Sequence, residues 1–234
     1  MLDVIQDARA AGRRALDDEQ AKRLVAGFGV RVPRCRVVRG DADIDAAMGE
    51  LRAPFALKAM SPTLLHKSDA GGVRLRLHSS AAVREAMHEM RTDPRMAAHE
   101  LDGFLLEEMA APGHELVCGG RWDANFGPVV MVGLGGIFVE VLADVSFRLC
   151  PIEPVDAREM LDELRGARVL DGARGGVAAS RDSIVDVLMA LGGENGLLLR
   201  ARGDVVELDL NPVIAAATHA TAVDARILLR EGAR

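Results

Sequence analysis

Two lysines and a histidine surround one loop, and their side chains could meet a phosphate group. Of the 29 basic residues, only Lys22, Lys58 and Lys67 are lysines. A lysine supplies a compact ammonium where the planar guanidinium of arginine does not fit. His66 adjoins Lys67, and this positive charge disfavours the imidazolium form, so a neutral imidazole could accept a phosphoryl group near pH 7. A solvated hairpin with incidental charges explains the same pattern.

Three oxygen-bearing side chains recur at every second position in the segment 206–212. Glu207, Asp209 and Asn211 would therefore share one face of a strand, while Leu208 and Leu210 face the core. Hard oxygen ligands of this kind suit Mg²⁺, which binds through one or two protein groups plus phosphates. Ordinary polar-out alternation, ending in an Asn-Pro turn, is the alternative.

The segment 105–116 passes from a strand into an irregular turn. Backbone groups left unpaired at such a turn can hydrogen-bond the edge of an adenine, and Glu115 can accept from ribose hydroxyls. An edge-strand acid without a ligand is the alternative. A glycine cluster at 133–136 would permit close backbone approach to a ligand or to another chain, although such clusters also form simple turns.

Hydrophobic periodicity indicates which elements position these residues. It predicts two helices before Gly29, the second capped by Asp17 or Asp18. Further helices are predicted at 44–51, 80–90, 156–164 (with Asp156 and Glu159 as a capping pair) and 182–191. Strands are predicted at 35–39, 55–60, 73–77, 104–109, 115–118, 129–132 and 147–152. The segments 197–200 and 205–210 are expected to form a hairpin, followed by a last strand or helix at 222–229.

The composition excludes several classes of protein. The net charge of −6 with no long basic run argues against a nucleic-acid platform. No apolar run approaches the roughly 20 residues of a membrane span, so we expect no membrane partner. The three scattered cysteines suggest neither a disulfide framework nor a zinc site, and a reducing cytoplasm is the simplest location. The elements predict an α+β protein with two α/β lobes joined near residue 108.

Four segments in this order resemble the ATP-grasp subunit of NDP-forming acyl-CoA synthetases, and distantly the β subunit of succinyl-CoA synthetase. They read LHKSDAGGV, FGPVVMVGLGGIFVEVLADVSFR, LDGARG and ELDLNPV. The resemblance implies an ATP-grasp fold across 1–234, with nucleotide held between two lobes. The first subdomain would span 20–108 and the second 109–234, with the helix of 1–19 packed on the second.

The resemblance also implies roles for individual residues. Lys58 would touch the nucleotide phosphates, while His66 would carry a phosphoryl group and Asp209 would face a phosphohistidine. Asn211 and Asp224 would bind Mg²⁺. The positions expected to contact ATP or ADP are Lys58, Lys67, Glu107, Glu108, Met109, Ala110 and Glu115. Arg148, which ends the second segment, is expected among the catalytic residues.

A partner follows from the same resemblance, because the family's CoA-binding and ligase domains have no counterpart in these 234 residues. The expected partner is a CoA-binding α subunit on a separate chain, in a homodimer or an α₂β₂ assembly. Together they would catalyse acyl-CoA + ADP + phosphate ⇌ carboxylic acid + CoA + ATP. Two other functions stay open: a carboxylate-amine ligase of the same fold, and a non-catalytic ATP-sensing module of an acyltransferase.

Overall fold

The computed structural model describes residues 2–61, 70–96, 99–136, 143–172 and 177–230. The chain forms two compact units: unit 1 comprises Met1–Val32 and Ala111–Arg234, and unit 2 comprises Pro33–Ala110. This division differs from the expected boundaries at residues 20–32, which belong with unit 1, and at residues 109–110, which belong with unit 2. No helix within the described ranges has the length and apolar character needed to cross a bilayer.

Unit 2 is a four-stranded antiparallel sheet covered on one face by two helices. In chain order its elements are β1 (Cys35–Val38), α3 (Asp41–Glu50), β2 (Phe55–Met60), β3 (Val73–Leu77), α4 (Ser80–Thr92) and β4 (Gly103–Glu108). The strand order is β1-β4-β2-β3. Leu57 and Phe104 face the helices and pack with Ile44 and Met87, so alternate residues of β2 and β4 form the core.

Unit 1 contains the larger, six-stranded antiparallel sheet. Its strands are β5 (His114–Asp123), β6 (Gly127–Leu134), β7 (Val145–Leu149), β8 (Val205–Ala215), β9 (Ala220–Ala222) and β10 (Arg226–Leu229). The order is β10-β8-β5-β6-β7, and β9 pairs with the end of β8. Because β8 pairs with both β5 and β10, the segment carrying Asp209 lies inside the sheet.

The helices of unit 1 bury their apolar positions in one core. They are α1 (Asp3–Ala10), α2 (Asp18–Gly27), α5 (Pro154–Asp162), α6 (Arg181–Gly192) and α7 (Leu197–Arg200). Asp17 is the N-cap of α2, since its carboxylate accepts from the Gln20 N–H at 2.8 Å. Within α2, Lys22 forms a buried ion pair with Asp18, with Nζ 3.2 Å from Oδ2.

Two local predictions are wrong. The segment 197–200 is helix α7 and not the first strand of a hairpin, because its leucines fill one buried helical turn as readily as a strand. Its expected strand partner, β8, pairs with β5 and β10 instead. Helix α5 begins after Glu153, whose N–H donates to Asp156 Oδ2 at 2.7 Å, so Asp156 and Glu159 are not its capping pair.

The six-stranded sheet has a core face and an opposite face, here called the open face. Directly opposed residues of an antiparallel sheet lie on the same face. On the open face one row crosses all five strands of the main path: Arg226, Asp209, Gly119, Met131 and Phe147. The core face carries Cys118, Val132 and Leu210. The prediction that Leu208 and Leu210 face the core is confirmed.

Candidate active site

Lys58 and Glu107 form a buried ion pair in unit 2. Lys58 lies in the middle of β2, where it opposes Leu105, and Glu107 lies on β4, where it opposes Ala56. Both side chains are therefore on the sheet face away from α3 and α4. Their exposed fractions are 6% and 1%, and Nζ lies 2.9 Å from Oε2. A buried lysine remains charged only if a partner of this kind offsets the cost of desolvation.

The residues after Glu107 make local contacts within unit 2. Glu108 Oε1 accepts from the Arg52 N–H at 3.0 Å and from Arg34 Nη1 at 3.3 Å. The N–H of Met109 donates to the Pro54 carbonyl at 3.0 Å, and its Sδ accepts from the Arg76 N–H at 3.3 Å. The side chains of Glu108 and Met109 thus have hydrogen-bond partners within unit 2. Ala110, the last residue of unit 2, is half-buried.

Glu115 is exposed on β5 of unit 1, beside a cavity of about 370 Å³. The cavity is lined by Gly113, His114, Glu115, Leu134, Gly135, Gly136 and Val169. The Gly135 N–H donates to the Glu115 carbonyl at 2.7 Å, and a Cβ on Gly135 would lie 2.8 Å from the Glu115 Cβ. The glycine cluster therefore permits a close approach between Gly135 and Glu115 of the same chain.

Acidic and amide groups lie further along the same sheet, within unit 1. Glu207 and Asp209 lie on the open face of β8, and Asn211 is exposed further along the strand. Burial raises the pKa of Asp209, the charges of Glu207 and Asp224 raise it further, and Arg226 opposes the shift. Asp224 is therefore close enough to Asp209 for their charges to interact.

This oxygen-rich cluster has the donor chemistry that Mg²⁺ prefers. In the part of the chain that the structure describes, no three His, Cys, Asp or Glu side chains form a ready-made metal cage. Mg²⁺ keeps several waters and usually binds one or two protein oxygens together with substrate phosphates, so two oxygen donors are enough. Asn211 and Asp224 are suitable donors, and the Asp224 carboxylate also accepts from the Ala225 N–H at 3.1 Å.

Arg148 lies on the opposite side of this sheet. Its position on β7 opposes Val130, a residue of the core face. Its guanidinium reaches Glu163, with Nη2 2.5 Å from Oε1, and also lies 3.7 Å from Glu159. The Arg148 hydrogen bond and then that of Ser146 lower the pKa of Glu163 to about 2. The structure thus does not bring Arg148 together with Asp209.

His66 and Lys67 lie outside the described residues. Two features of the open face were not anticipated from the sequence. Arg226 stands directly beside Asp209, and a cavity of about 540 Å³ extends from Asp209 over β5 and β6 to Phe147. The sequence shows Arg226 two positions after Asp224. Only the pairing of β8 with β10 shows that Arg226 is the neighbour of Asp209.

Comparison with known proteins identifies relatives over nearly the whole chain. A family model described as an ATP-grasp domain matches residues 7–229. The β subunit of acetate–CoA ligase [ADP-forming] I from Pyrococcus furiosus is 37% identical over 229 residues, covering 97% of each chain.

Solved structures give the same result. An acetyl-coenzyme A synthetase 1 of Ca. Korarchaeum cryptofilum, in complex with coenzyme A, Ca-AMPCP and HgCl⁺, superposes with a TM-score of 0.92 at 37% identity. A second structure of that enzyme holds coenzyme A and Mg-AMPPCP, its phosphohistidine segment pointing towards the nucleotide binding site, and superposes with a TM-score of 0.84 at 36% identity. Each match covers 98% of this chain and 99% of the other.

Proposed function

The chain belongs to the ATP-grasp family and, within it, to the β-type subunits of ADP-forming acyl-CoA synthetases, and on that premise we propose that it transfers phosphate between a phosphohistidine and ADP. With a CoA-binding partner it catalyses acyl-CoA + ADP + phosphate ⇌ carboxylic acid + CoA + ATP. The observation that carries the proposal is the 37% identity to a β subunit over 97% of both chains.

The bond changes divide a difficult reaction into two simpler transfers. In the ATP-forming step, an oxygen of the ADP β-phosphate attacks phosphorus, the new P–O bond forms and the P–N bond to histidine breaks. The electron pair of that bond returns to the imidazole. A carboxylate that accepts a hydrogen bond from the N–H of the other ring nitrogen keeps that proton on the ring. The ring then leaves as neutral imidazole. We assign this role to Asp209, supported by its half-buried place on the open face.

Charge on the phosphoryl oxygens is met by cationic groups. Lys58 supplies an ammonium, and the position of Glu107 at 2.9 Å supports a role in orienting it. Mg²⁺ bound by Asn211 and Asp224 would offset phosphate charge and orient the oxygens. Glu115, exposed beside its cavity, is proposed to accept from the ribose. The segment 108–110 would contact the nucleotide through backbone groups other than the N–H groups of Glu108 and Met109, which donate to the carbonyls of Arg34 and Pro54. The side chains of Glu108 and Met109 also have local partners.

We further propose that His66 receives the phosphoryl group on its way to ADP, with Lys67 nearby to contact phosphate. We propose that the CoA-binding partner is a separate α subunit, which is supported by two relatives named subunit β that match over 97% and 98% of their own length. An α₂β₂ assembly or a homodimer of this chain would accommodate it. We assign no catalytic step to Arg148, given its ion pairs on the core side of the sheet.

The test is reconstitution. The chain is mixed with its CoA-binding subunit, acetyl-CoA, phosphate, ADP and Mg²⁺, and ATP is measured by luciferase. ATP should form only when both proteins and all substrates are present. In the reverse direction, an acyl-amine product made from ATP, acid and an amine without CoA would favour the carboxylate-amine ligase instead. Mg-ATP binding by calorimetry with no phosphoryl exchange in any mixture would favour the sensing module.

A further inference from the structure

The cavity of about 370 Å³ beside Glu115 has both polar and apolar lining residues. Its volume lies within the usual range of small-ligand pockets, about 300–1,000 Å³. Glu115 and His114 are its polar side chains, three lining residues are glycines, and Leu134 and Val169 are its apolar side chains. A ribose has the same two characters, because its hydroxyl groups need hydrogen-bond partners while its carbon-bound hydrogens pack against apolar groups. The cavity therefore offers an apolar contact in addition to the Glu115 carboxylate.

Val169 reaches the cavity from a separate part of the chain. It ends a short 3₁₀ helix (Ala167–Val169) that lies between α5 and α6. The Val169 N–H donates to the Gly166 carbonyl at 2.9 Å, and Leu170 is buried in the core of unit 1. A single 3₁₀ turn has too few internal hydrogen bonds to hold itself in place, so contacts outside the turn must fix the position of Val169.

Asp144 supplies such contacts. The residue is buried, with an exposed fraction of 3%. Its Oδ1 accepts from the Arg165 N–H at 2.8 Å, and its Oδ2 accepts from the Gly166 N–H at 2.9 Å. The backbone carbonyl of Asp144 accepts from the Leu134 N–H at 3.3 Å. Asp144 therefore joins the end of β6, which lines the cavity through Leu134, to the turn that carries Val169.

Close packing reinforces this junction. A Cβ on Gly166 would overlap Leu134 Cδ1 and would lie 3.4 Å from Asp144 Oδ2, so a larger residue does not fit between them. The turn therefore rests directly on Leu134. A carboxylate that accepts from backbone N–H groups makes stronger hydrogen bonds than a neutral acceptor does. The two apolar side chains of the cavity are thus held in one packed arrangement before a ligand binds.

We propose that Val169 packs against the ribose of the nucleotide and that Asp144 is the positioning residue that holds Val169 in place. This inference rests on the proposed function, in which Glu115 accepts from the ribose, and it adds the apolar contact and the residue that fixes it. A carboxylate that only stabilised the end of α5 would need no connection to the cavity, whereas both elements that Asp144 joins line it. A wall that is fixed in advance lowers the entropy cost of binding the sugar.

The first test variant changes the cavity itself. In Val169→Trp the indole takes up space in the cavity, and because Val169 is only half-buried the chain can still fold. Val155→Trp is the matched control, since Val155 is 54% exposed on α5 and the residues that line the cavity come from other segments. For each variant, kcat and the KM for ADP are measured in the complex with the CoA-binding subunit, the Mg-ADP Kd is measured by calorimetry, and the melting temperature is recorded.

The second test variant changes the positioning residue. Asp144→Asn keeps the size of the side chain but replaces one acceptor oxygen with an NH₂ group that faces an N–H donor. Asp43→Asn is its control, because Asp43 Oδ2 also accepts from two backbone N–H groups, those of Arg39 and Gly40, in unit 2. The same four quantities are measured.

We expect Val169→Trp to raise the KM and the Kd for ADP by about tenfold or more, the size of effect that a steric misfit in a pocket produces. Asp144→Asn should raise both by about fivefold or more, as expected when a buried donor loses its acceptor. In both variants kcat at saturating ADP should stay within about twofold of the wild-type value, because contact with the ribose is the same before and during phosphate transfer. A general loss of structure would lower kcat as well. Both controls should match the wild type in every measurement.

An unchanged ADP KM in Val169→Trp, with an active wild type, overturns the ribose contact alone. A lower kcat with an unchanged KM overturns it as well, since Val169 would then act away from the sugar. An unchanged KM in Asp144→Asn overturns the positioning role. If Asp144→Asn does not fold, Gly166→Ala replaces it, because the new Cβ pushes the same turn off Leu134 and the same rise in KM is expected. Failure of the wild type to make ATP overturns the proposed function and, with it, this inference.

Discussion

Lys58 Nζ lies 2.9 Å from Glu107 Oε2, and the two side chains are among the few charged groups buried in unit 2. They are diagonal neighbours on adjacent antiparallel strands, so the fold of the sheet sets their distance. A lysine held in this way has fewer conformations to lose when it contacts a phosphate. The same burial makes each charge dependent on the other.

Lys58→Ala should lower the free energy of unfolding by about 3–5 kcal/mol, because it leaves the Glu107 carboxylate buried without its ammonium. Urea denaturation measures this loss. The double variant Lys58→Met/Glu107→Gln removes both charges and should recover most of the stability, while Mg-ADP affinity by calorimetry stays low. If Lys58→Ala has the same free energy of unfolding as the wild type, the ion pair contributes nothing to folding.

Asn211→Ala and Asp224→Asn should each raise the free Mg²⁺ needed for half-maximal ADP binding by about tenfold, since each removes a hard oxygen donor or its charge. Fluorescence or calorimetric titration of ADP at several Mg²⁺ concentrations measures the shift. Glu194→Gln changes an exposed acid in the turn between α6 and α7 and serves as the control. An unaltered Mg²⁺ requirement in both site variants would show that other residues bind the metal.

His66→Ala should retain Mg-ADP binding but abolish ATP formation with the CoA-binding subunit, because phosphate could no longer pass through the imidazole. Acid-labile ³²P on the chain, present in the wild type and absent in the variant, reports the phosphohistidine directly. His78→Ala removes an exposed histidine and is expected to behave as the wild type. Normal ATP synthesis by His66→Ala would show that this histidine carries no phosphate.

The Arg148–Glu163 pair predicts an acid-dependent contribution to stability. The Glu163 pKa is depressed from 4.5 to about 2, so its stabilising effect is fully present above about pH 4.5 and is lost as pH falls through about 2. Melting temperatures of the wild type and Glu163→Gln should therefore differ at pH 6 and converge between pH 4.5 and 2. The Glu159 carboxylate lies 3.7 Å from Arg148, so Glu159→Gln should show a smaller difference in melting temperature from the wild type. A gap independent of pH would contradict the ion-pair explanation.

Gly135→Ala should displace Glu115, because the new Cβ would lie 2.8 Å from the Glu115 carbonyl carbon and Cβ. We expect a loss of about 1–3 kcal/mol from overpacking and a weaker Mg-ADP affinity. Gly49→Ala is the matched control: it meets open space in helix α3 and should stabilise by up to about 1 kcal/mol. Tight ADP binding by Gly135→Ala would show that the position of Glu115 is unimportant.

Several features of the fold could be predicted because they depend on local chemistry. Asp17 caps α2 through the Gln20 N–H, as a carboxylate before an amphipathic run should. The alternation of Glu207, Leu208, Asp209 and Leu210 fixed which side chains face the core. The short leucine run at 197–200 was wrongly predicted as a strand, because three apolar residues fit a buried helical turn and a buried strand alike.

The sequence by itself determined the family, because the order and identity of its motifs do not depend on which strands pair. It also determined which face of β8 is polar, since strand periodicity is a property of the backbone. Only the tertiary structure decided the neighbours. Pairing across β4 and β2 placed Glu107 against Lys58, and pairing across β8 and β10 placed Arg226 beside Asp209. Arg148 belongs to the opposite side because register, which long-range packing sets, decides the face of every strand residue.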